Sequence, residues 1–439
     1  MSTIDLLKGQ TKTKWDTQKY AVNMDRIGCI ILGGGQGTRL FPLTTKRCKP
    51  AIPFGGRYRL IDIPISNALH AGCRQLFVLT QFLSSSLHRH ISQSYPTLST
   101  SKGYVEVLGV EQKSQNSGWY QGTADAVRQN IAYLAETPVD YFLILSGDQL
   151  YNMDLQEMIA FAFEKDADLV ISSLPVCEKD AKRMGLLKLD ENQQIVDFYE
   201  KPQDEAILKH FEIPTKIRGE DECNYLGSMG IYLFKKKTLI RLLLDDARED
   251  FGKHLIPTAL KNGGVYGHIF KGYWEDIGTV ESFFRANLAL TEASPAFQCH
   301  LDQAPIFSGS HHLPGPKIKN TFLKDTIVCE GCIVAAEKVT RSILGPRTCI
   351  GEGCILDSTY IMGNDYYCHP AELTNPHSPK IGKECIIRNA IVDTNASIGD
   401  HVELINRENL THYDSDLLYI RDGVIVIPYG VHIPDGFSL

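Results

Sequence analysis

The stretch GGGQGTRLFPLTTKRCKPAIPFGGRYRLI, Gly33 to Ile61, follows directly on the apolar run Ile27-Gly28-Cys29-Ile30-Ile31-Leu32. A short apolar run without polar alternation reads as a strand buried on both faces, as in parallel sheets. The glycines then fall at a strand's C-terminal end, where such sheets bind their ligands. The stretch holds six basic residues, Arg39, Lys46, Arg47, Lys49, Arg57 and Arg59, and no acidic one, in a chain of formal net charge −7. A cationic loop on an acidic protein points to a phosphate-rich ligand.

Gly33, Gly34, Gly35 and Gly37, with Thr38, are the candidate nucleotide-binding loop. Lacking a Cβ, glycine lets the backbone take positive φ and press its N–H groups against phosphate oxygens, while Arg39 and Lys49 neutralise charge. The spacing fits neither of two commoner phosphate loops. A dinucleotide fingerprint wants a third glycine where Thr38 or Arg39 stands, and a P-loop closes on Gly-Lys-Ser/Thr.

At 439 residues the chain is too long for one ordinary core, so two domains are expected. Apolar and charged contents of 43% and 22% are those of a soluble globular protein. No apolar run approaches the roughly 20 residues of a membrane helix. The N-terminal segment has no signal-peptide core and carries an early acidic residue, so a cytoplasmic location is expected. No nucleic-acid or membrane partner is expected. The twelve cysteines lack a disulfide rhythm, and the pair Cys329 and Cys332 has no second pair to complete a zinc site. They read as buried small apolar residues.

From 27 to 292 strand-like runs (76–80, 141–145, 169–173, 226–234) alternate with helical ones (123–134, 155–164, 279–290), which argues an α/β domain with a largely parallel sheet. Residues 1–26 form an N-terminal extension, and 293–317 a proline-bearing linker with the polar run Ser308 to His312. From 318 to 439 aliphatic residues recur every sixth position: Ile327, Ile333, Val339; Leu344, Ile350, Leu356, Met362; Ile386, Val392, Ile398, Leu404. That period marks a β-helix, interrupted by a loop at 363–380 and serving as scaffold and oligomer interface.

The glycine run, with KRCKPA (46–51), YRLIDIPISN (58–67), WYQGTADAV (119–127), LSGD (145–148), EKP (200–202), SMGIY (228–232) and YWEDIGT (273–279), resembles the glucose-1-phosphate adenylyltransferase or ADP-glucose pyrophosphorylase family in order and spacing from residue 26 onward. The resemblance implies a Rossmann-like, GT-A-like nucleotidyltransferase domain with a mostly parallel sheet, followed by a left-handed parallel β-helix. It implies transfer of the adenylyl group of ATP to α-D-glucose 1-phosphate, the first committed step of glycogen or other α-glucan synthesis. Phosphoryl-type transfer of this kind needs positioning, charge neutralisation and Mg²⁺ more than covalent chemistry.

By the same resemblance Arg39 and Lys49 bind the leaving phosphates. Asp148, with Asp276, holds the metal, and Asp276 could equally cap the helix near Thr279. Lys201, beside Glu200 and stiffened by Pro202, grips the sugar phosphate. Tyr120, Gly185 and Ser228 lie around the glucose. Gln81, Gln121, Gly122 and the helix opening at Thr123 meet adenine and ribose. Gln149 replaces the histidine usual after Ser-Gly-Asp, with its hydrogen bonding expected to be kept. Family members are typically tetramers controlled by anionic metabolites bound between domains, so a homotetramer is expected here, and Lys46, Arg47 and Arg59 are the effector candidates. Two lysines that plant-like relatives use for their activator are Thr394 and Pro428 here, so a weak or altered response to 3-phosphoglycerate is expected. Two rivals stay open: a sibling such as mannose-1-phosphate guanylyltransferase, and a noncatalytic regulatory subunit, against which the intact Arg39, Lys49, Asp148 and Lys201 speak.

Overall fold

The computed structural model describes residues 22–96, 103–110, 118–213, 223–309, 312–367 and 379–439. Outside them lie residues 1–21 of the N-terminal extension, 310 and 311 of the polar linker run, and 368–378 of the loop expected at 363–380. In chain order the strands of the first domain are β1 Ile27–Leu32, β2 Pro53–Phe54, β3 Tyr58–Arg59, β4 Gln75–Leu79, β5 Tyr104–Leu108, β6 Tyr141–Ser146, β7 Gln149–Tyr151, β8 Leu169–Val176, β9 Gly185–Leu189, β10 Ile195–Glu200, β11 Tyr225–Lys235, β12 Val265–Ile269 and β13 Trp274–Asp276.

Nine of these make one sheet. Strands β6, β1, β4 and β5 lie side by side and parallel, and β12 runs parallel to β8. The long β11 enters antiparallel to β6, β8 and β9, joining a second limb to the parallel half. The sheet is held by apolar side chains from both faces. Ile30, Ile31, Phe77, Phe142 and Leu143 are fully buried, each contributing about 1.5–3 kcal/mol.

The helix Leu155–Glu164 forms where its periodicity places it, with the Asp154 carboxylate accepting from the Gln156 N–H at 3.0 Å. The helix expected over 123–134 is two, Thr123–Gln129 and Ile131–Glu136. It breaks at Asn130, whose Nδ2 donates to the Ala126 carbonyl at 2.9 Å and the Tyr120 hydroxyl at 3.0 Å. Asparagine bonding back to the preceding turn competes with the helix ladder. The helix Val280–Ala289 is capped by Thr279 in a reciprocal box with Ser282, so Asp276 is not its cap.

In the second domain the strands Phe322–Val328, Lys338–Leu344, Ile355–Ile361 and Ile386–Val392 stack parallel as successive coils, and Val424–Ile427 continues the stack. The sixfold phase slips by one in two places. Ile333 is 46% exposed and the buried Val334 pairs with Ile350, while buried Ile387 rather than Ile386 pairs with Leu356. Adjacent strand residues face opposite sides, so a slip of one reverses them. Cys29, Cys48, Cys73, Cys329, Cys332, Cys354 and Cys385 are buried free thiols, whereas Cys177, Cys223, Cys299 and Cys349 are half-buried. No helix among the described residues is long and apolar enough to cross a membrane.

The linker is bound along the first domain rather than hanging between two bodies. His70 Nε2 meets the Pro305 carbonyl at 2.7 Å, Ser66 Oγ accepts from the Phe307 N–H at 2.9 Å, and the Tyr95 hydroxyl donates to the Phe307 carbonyl at 3.0 Å. Beyond it the two domains share one apolar cluster, in which Leu40, Phe54, Ile277 and Phe283 pack with Ile343, Tyr360, Ile391 and Val426. The Phe283 and Tyr360 ring centroids are 5.9 Å apart. The Asn287 side-chain oxygen, fully buried, accepts from the Gly55 N–H at 2.8 Å and ties the β2–β3 hairpin to the same helix. Phe283→Ala should destabilise the chain by about 3–5 kcal/mol through the cavity it leaves, read as a lower denaturant midpoint for both domains together. Loss confined to one domain would show that the cluster does not join them.

Candidate active site

β1, β4 and β6 deliver three loops to one edge of the sheet. The Gly33 N–H donates to the Leu79 carbonyl at 2.8 Å and the Gly147 N–H to the Leu32 carbonyl at 2.9 Å, so both loops leave in sheet register. Gly33 is therefore spent on the sheet. Among the described residues the N–H groups of Gly34, Gly35 and Gln36 meet no intramolecular acceptor, which leaves them for a ligand. Gly37 alone in the loop has positive φ, at 65°. A Cβ there would lie 3.0 Å from Thr44 and 3.1 Å from Lys49, so glycine is required twice over. Thr38 and Arg39 occupy the single turn Thr38–Leu40 that follows.

Gln81 locks the glycine loop to the segment 119–122. Its Nε2 donates to the Gly34 carbonyl at 3.0 Å and the Tyr120 carbonyl at 3.3 Å, and its Oε1 accepts from the Tyr120 N–H at 2.7 Å. Its amide is committed to backbone, so it shapes the cavity more than it reads a base. Gln121 is exposed, its Nε2 bonded to the Trp119 carbonyl at 2.7 Å. At Gly122 a Cβ would come within 2.5 Å of the Glu249 carbonyl. That same carbonyl accepts from Ala124 and Asp125 at 2.8 and 3.1 Å. The helix opening at Thr123 thus has two of its first-turn donors occupied, while among the described residues the N–H groups of Gly122 and Thr123, both lining the cavity, meet no intramolecular acceptor.

Lys49, 8% exposed, is brought to the same edge by the turn Lys49–Ala51. Its Nζ lies 2.6 Å from Asp148 Oδ2 and 3.5 Å from Asp276 Oδ1. Asp148 projects just past β6 and also accepts from the Ser146 hydroxyl. Asp276 is set beside it by the β7–β13 ribbon, in which Asp276 opposes Gln149. Burial pulls the Lys49 ammonium down, but Asp148 and Asp276 outweigh it and hold its pKa above the ordinary value. Asp276 moves upward, first because protein crowds it and next because of the Asp148 charge, although 46% of its side chain meets solvent. Two carboxylates facing one point suit a hard divalent cation. Among the described residues no group of three or more His, Cys, Asp or Glu could hold a metal alone. The set fits an ion that takes its remaining oxygens from substrate phosphates, as Mg²⁺ does.

Gln149 keeps the hydrogen bonding expected of it, donating to the Met229 carbonyl at 2.8 Å and accepting from Trp274 Nε1 at 3.3 Å. Lys201 has left-handed backbone, φ 52°, a conformation that costs a non-glycine residue about 1 kcal/mol or more and collects at functional sites. Its side chain is 56% exposed, with Nζ 3.5 Å from Glu200 Oε1. Glu200 is lodged against Gly185 and Gly252, where a Cβ would approach its Oε2 to 2.7 and 2.5 Å.

Two adjoining cavities meet at Lys201. One, of about 590 Å³, is lined by Gly34, Gly35, Gln81, Tyr120, Gln121, Gly122, Asp148 and Glu200. The other, of about 790 Å³, is lined by Arg39, Asp276, Lys182 and Arg183. Tyr120 is 7% exposed, its ring in the core behind the first cavity. Ser228 lines neither, sitting buried before the β11 kink at Gly230, whose N–H it accepts at 3.3 Å. Asp250, Tyr232 and Gly252 line the first cavity and were not anticipated; the Asp-Phe-Gly at 250–252 was the available signal.

A separate cavity of about 510 Å³ lies between the domains, lined by Lys46, Arg47, Arg57, Arg59, Arg89 and Arg347 with Asp365, Thr394 and Tyr429. Lys46 is exposed. Arg47 is committed elsewhere, its Nη2 2.8 Å from Asp393 Oδ1, both side chains nearly fully buried. Burial, then the neighbouring Arg47 charge, pulls the Arg59 guanidinium below its ordinary pKa, and Asp62 and Asp365 oppose that shift without cancelling it.

Burial raises the Glu200 carboxyl above its ordinary 4.5. Ionising it therefore costs the native state stability that is intact below pH 4.5 and lost as pH rises through the raised value. Glu200→Gln should show a higher thermal midpoint than the unaltered chain at pH 7, with the gain gone near pH 4. An equal gain at both would assign the effect to packing.

Residues 28–293 match the family described as Nucleotidyl transferase, and residues 311–437 match the GLGC left-handed parallel beta-helix domain. The first match covers the sheet and both substrate-sized cavities, the second the stacked coils. The chain belongs to the nucleotidyl transferase family, with the two-domain architecture of the ADP-glucose pyrophosphorylases.

Proposed function

We propose that the chain transfers the adenylyl group of ATP to α-D-glucose 1-phosphate, releasing pyrophosphate and ADP-glucose for α-glucan synthesis. The observation that carries the reading is Lys49 held between Asp148 and Asp276 at the mouth of the glycine loop. A phosphate oxygen of glucose 1-phosphate would attack the α-phosphorus, and the bond to the bridging oxygen of pyrophosphate would break. ATP would enter the cavity of Gly34, Gly35 and Gln81, its phosphates meeting the free loop N–H groups and Arg39. Lys201, at the junction of the cavities, would hold the sugar phosphate, with Glu200 fixing its turn. Mg²⁺ held by Asp148 and Asp276 would supply charge neutralisation for the reacting phosphates. Lys49 would then be free to meet the departing pyrophosphate, the role that the family resemblance implies for it.

With purified chain, Mg²⁺ and glucose 1-phosphate, pyrophosphate release should be faster with ATP than with UTP, GTP or dTTP. Lys201→Ala should raise the glucose 1-phosphate requirement, and Asp148→Asn should lower turnover about 10²-fold or more. Preference for another nucleotide would leave the family and change the substrate. No release with any nucleotide would favour a noncatalytic subunit.

The interdomain cavity supports control by an anionic metabolite, with exposed Lys46 and half-buried Arg59 among its cations and Arg47 shaping the wall through Asp393. Thr394 lines this cavity with a neutral side chain where plant-like relatives carry lysine. Added 3-phosphoglycerate should therefore change turnover little. Robust activation by that compound would overturn this reading. We infer further a cytoplasmic homotetramer, for which sedimentation of the purified chain is the test of assembly.

A further inference from the structure

Arg39 stands in a turn of only three residues, Thr38–Leu40. The turn is closed by the Leu40 N–H on the Gly37 carbonyl at 2.9 Å and the Phe41 N–H on the Thr38 carbonyl at 3.1 Å. So short a turn has almost no stiffness of its own. Its orientation depends on what holds it: Leu40, its last residue, is anchored by burial in the interdomain cluster, and contacts on either side set the rest. On one side the Thr44 hydroxyl donates to the Gly37 carbonyl at 3.1 Å. On the other stands Phe41, an aromatic 37% exposed that its own domain leaves partly uncovered.

What grips Phe41 comes from the β-helix. The hairpin strand Tyr419–Arg421 sets the Tyr419 ring edge-on to Phe41, with centroids 5.0 Å apart and planes at 83°. The Arg421 guanidinium lies 5.4 Å from the Phe41 centroid and 5.1 Å from that of Tyr419. Arg421 is itself fixed, 15% exposed, with Nη1 bonded to Asp414 Oδ1 at 2.5 Å and to the carbonyls of Tyr413 at 3.1 Å and Ile420 at 2.8 Å. The hairpin partner Val424–Ile427 lies in the solenoid stack on Ala390–Val392. A rigid body in one domain thus holds the residue two places after Arg39. At the far end of its side chain, Arg39 reaches Gly278, where a Cβ would lie 3.3 Å from Nη1. Arg39, Phe41 and Arg421 share the wall of one open cavity, with Thr38 and Gln36.

We propose that Arg421 is a positioning residue for the reaction: by clamping Phe41 it sets the turn that aims Arg39 at the phosphates. The β-helix domain then contributes to turnover through a contact that touches no substrate. The inference rests on the assignment of Arg39 to the leaving phosphates. A cation over an aromatic face is a modest attraction, yet a displacement of about 1 Å in a group that stabilises the transition state can cost up to 10²-fold in rate.

The test is a double-mutant cycle in the full chain, run with whichever nucleotide supports turnover. Phe41→Leu and Arg421→Ala should each lower kcat about tenfold while the KM values for nucleotide and sugar phosphate stay within about twofold. The double variant should lose no more than either alone, because both remove one contact. Arg421→Lys should regain much of the loss, since an ammonium can still lie over the ring. Thermal midpoints are read alongside, and the conservative Phe41→Leu and Arg421→Lys carry the comparison if Arg421→Ala does not fold. Independent, multiplicative losses in the double variant, or an unchanged kcat with only a lower thermal midpoint, would overturn the proposal. Absence of turnover in the unaltered chain would overturn both this inference and the reaction assigned above.

Discussion

Lys49 is a buried ammonium, and a buried ammonium is tolerable only in company. Desolvating it alone would cost several kcal/mol. Asp148 and Asp276 supply the company at 2.6 and 3.5 Å, and each comes from a different part of the sheet edge. Asp148 depends on Gly147, where a Cβ would meet the Leu32 carbonyl at 3.1 Å. Asp276 depends on a two-stranded ribbon whose other strand begins at Gln149. The charge triplet therefore fixes how closely β1, β6 and the β7–β13 ribbon must converge. Burial raises Asp276 first, and the repulsion between the two carboxylates adds to it. Any arriving cation relieves that repulsion, so the protein's own ammonium and a metal ion compete for one position.

Around this triplet side chains and carbonyls tie down the loops that border the cavity. Gln81 commits its whole amide to two loops, and the Glu249 carbonyl takes the N–H groups of Ala124 and Asp125. The open donors of Gly34, Gly35 and Gln36 stand out against that background. Fixed dipoles that need no rearrangement when phosphate arrives are what a transferase of this chemistry requires.

Much of this was legible in the chain itself. The apolar run Ile27 to Leu32 is a strand with those bounds, the helix at 155–164 likewise, and Lys49, Asp148, Asp276, Glu200 and Lys201 do come together at the strand ends. Local pattern suffices where a period of 2 or 3.6 meets a single core. It fails where a partner is remote. The break at Asn130 comes from its own side chain turning back on the helix. The occupation of the Ala124 and Asp125 donors at the helix opening comes from a carbonyl at Glu249. Arg47 reads as a free effector ligand until Asp393, 346 residues away, is found against it. Contacts of that kind leave no periodic trace. The off-by-one faces at Ile333 and Ile386 are of another sort: two aliphatics in a row are equivalent in sequence, and only stacking against the next coil chooses between them.

The shared cluster in which Phe283 meets Tyr360 bears on how such chains diversify. Two sequence families describe two folds, but the border between them is not an energetic border. An ancestor that exchanged its tail for another solenoid would inherit a catalytic helix with an uncovered apolar stripe. Recombination at the linker is therefore silent in reading frame yet penalised in packing, and the two halves are constrained to drift in sequence together, as the two sides of a single core do.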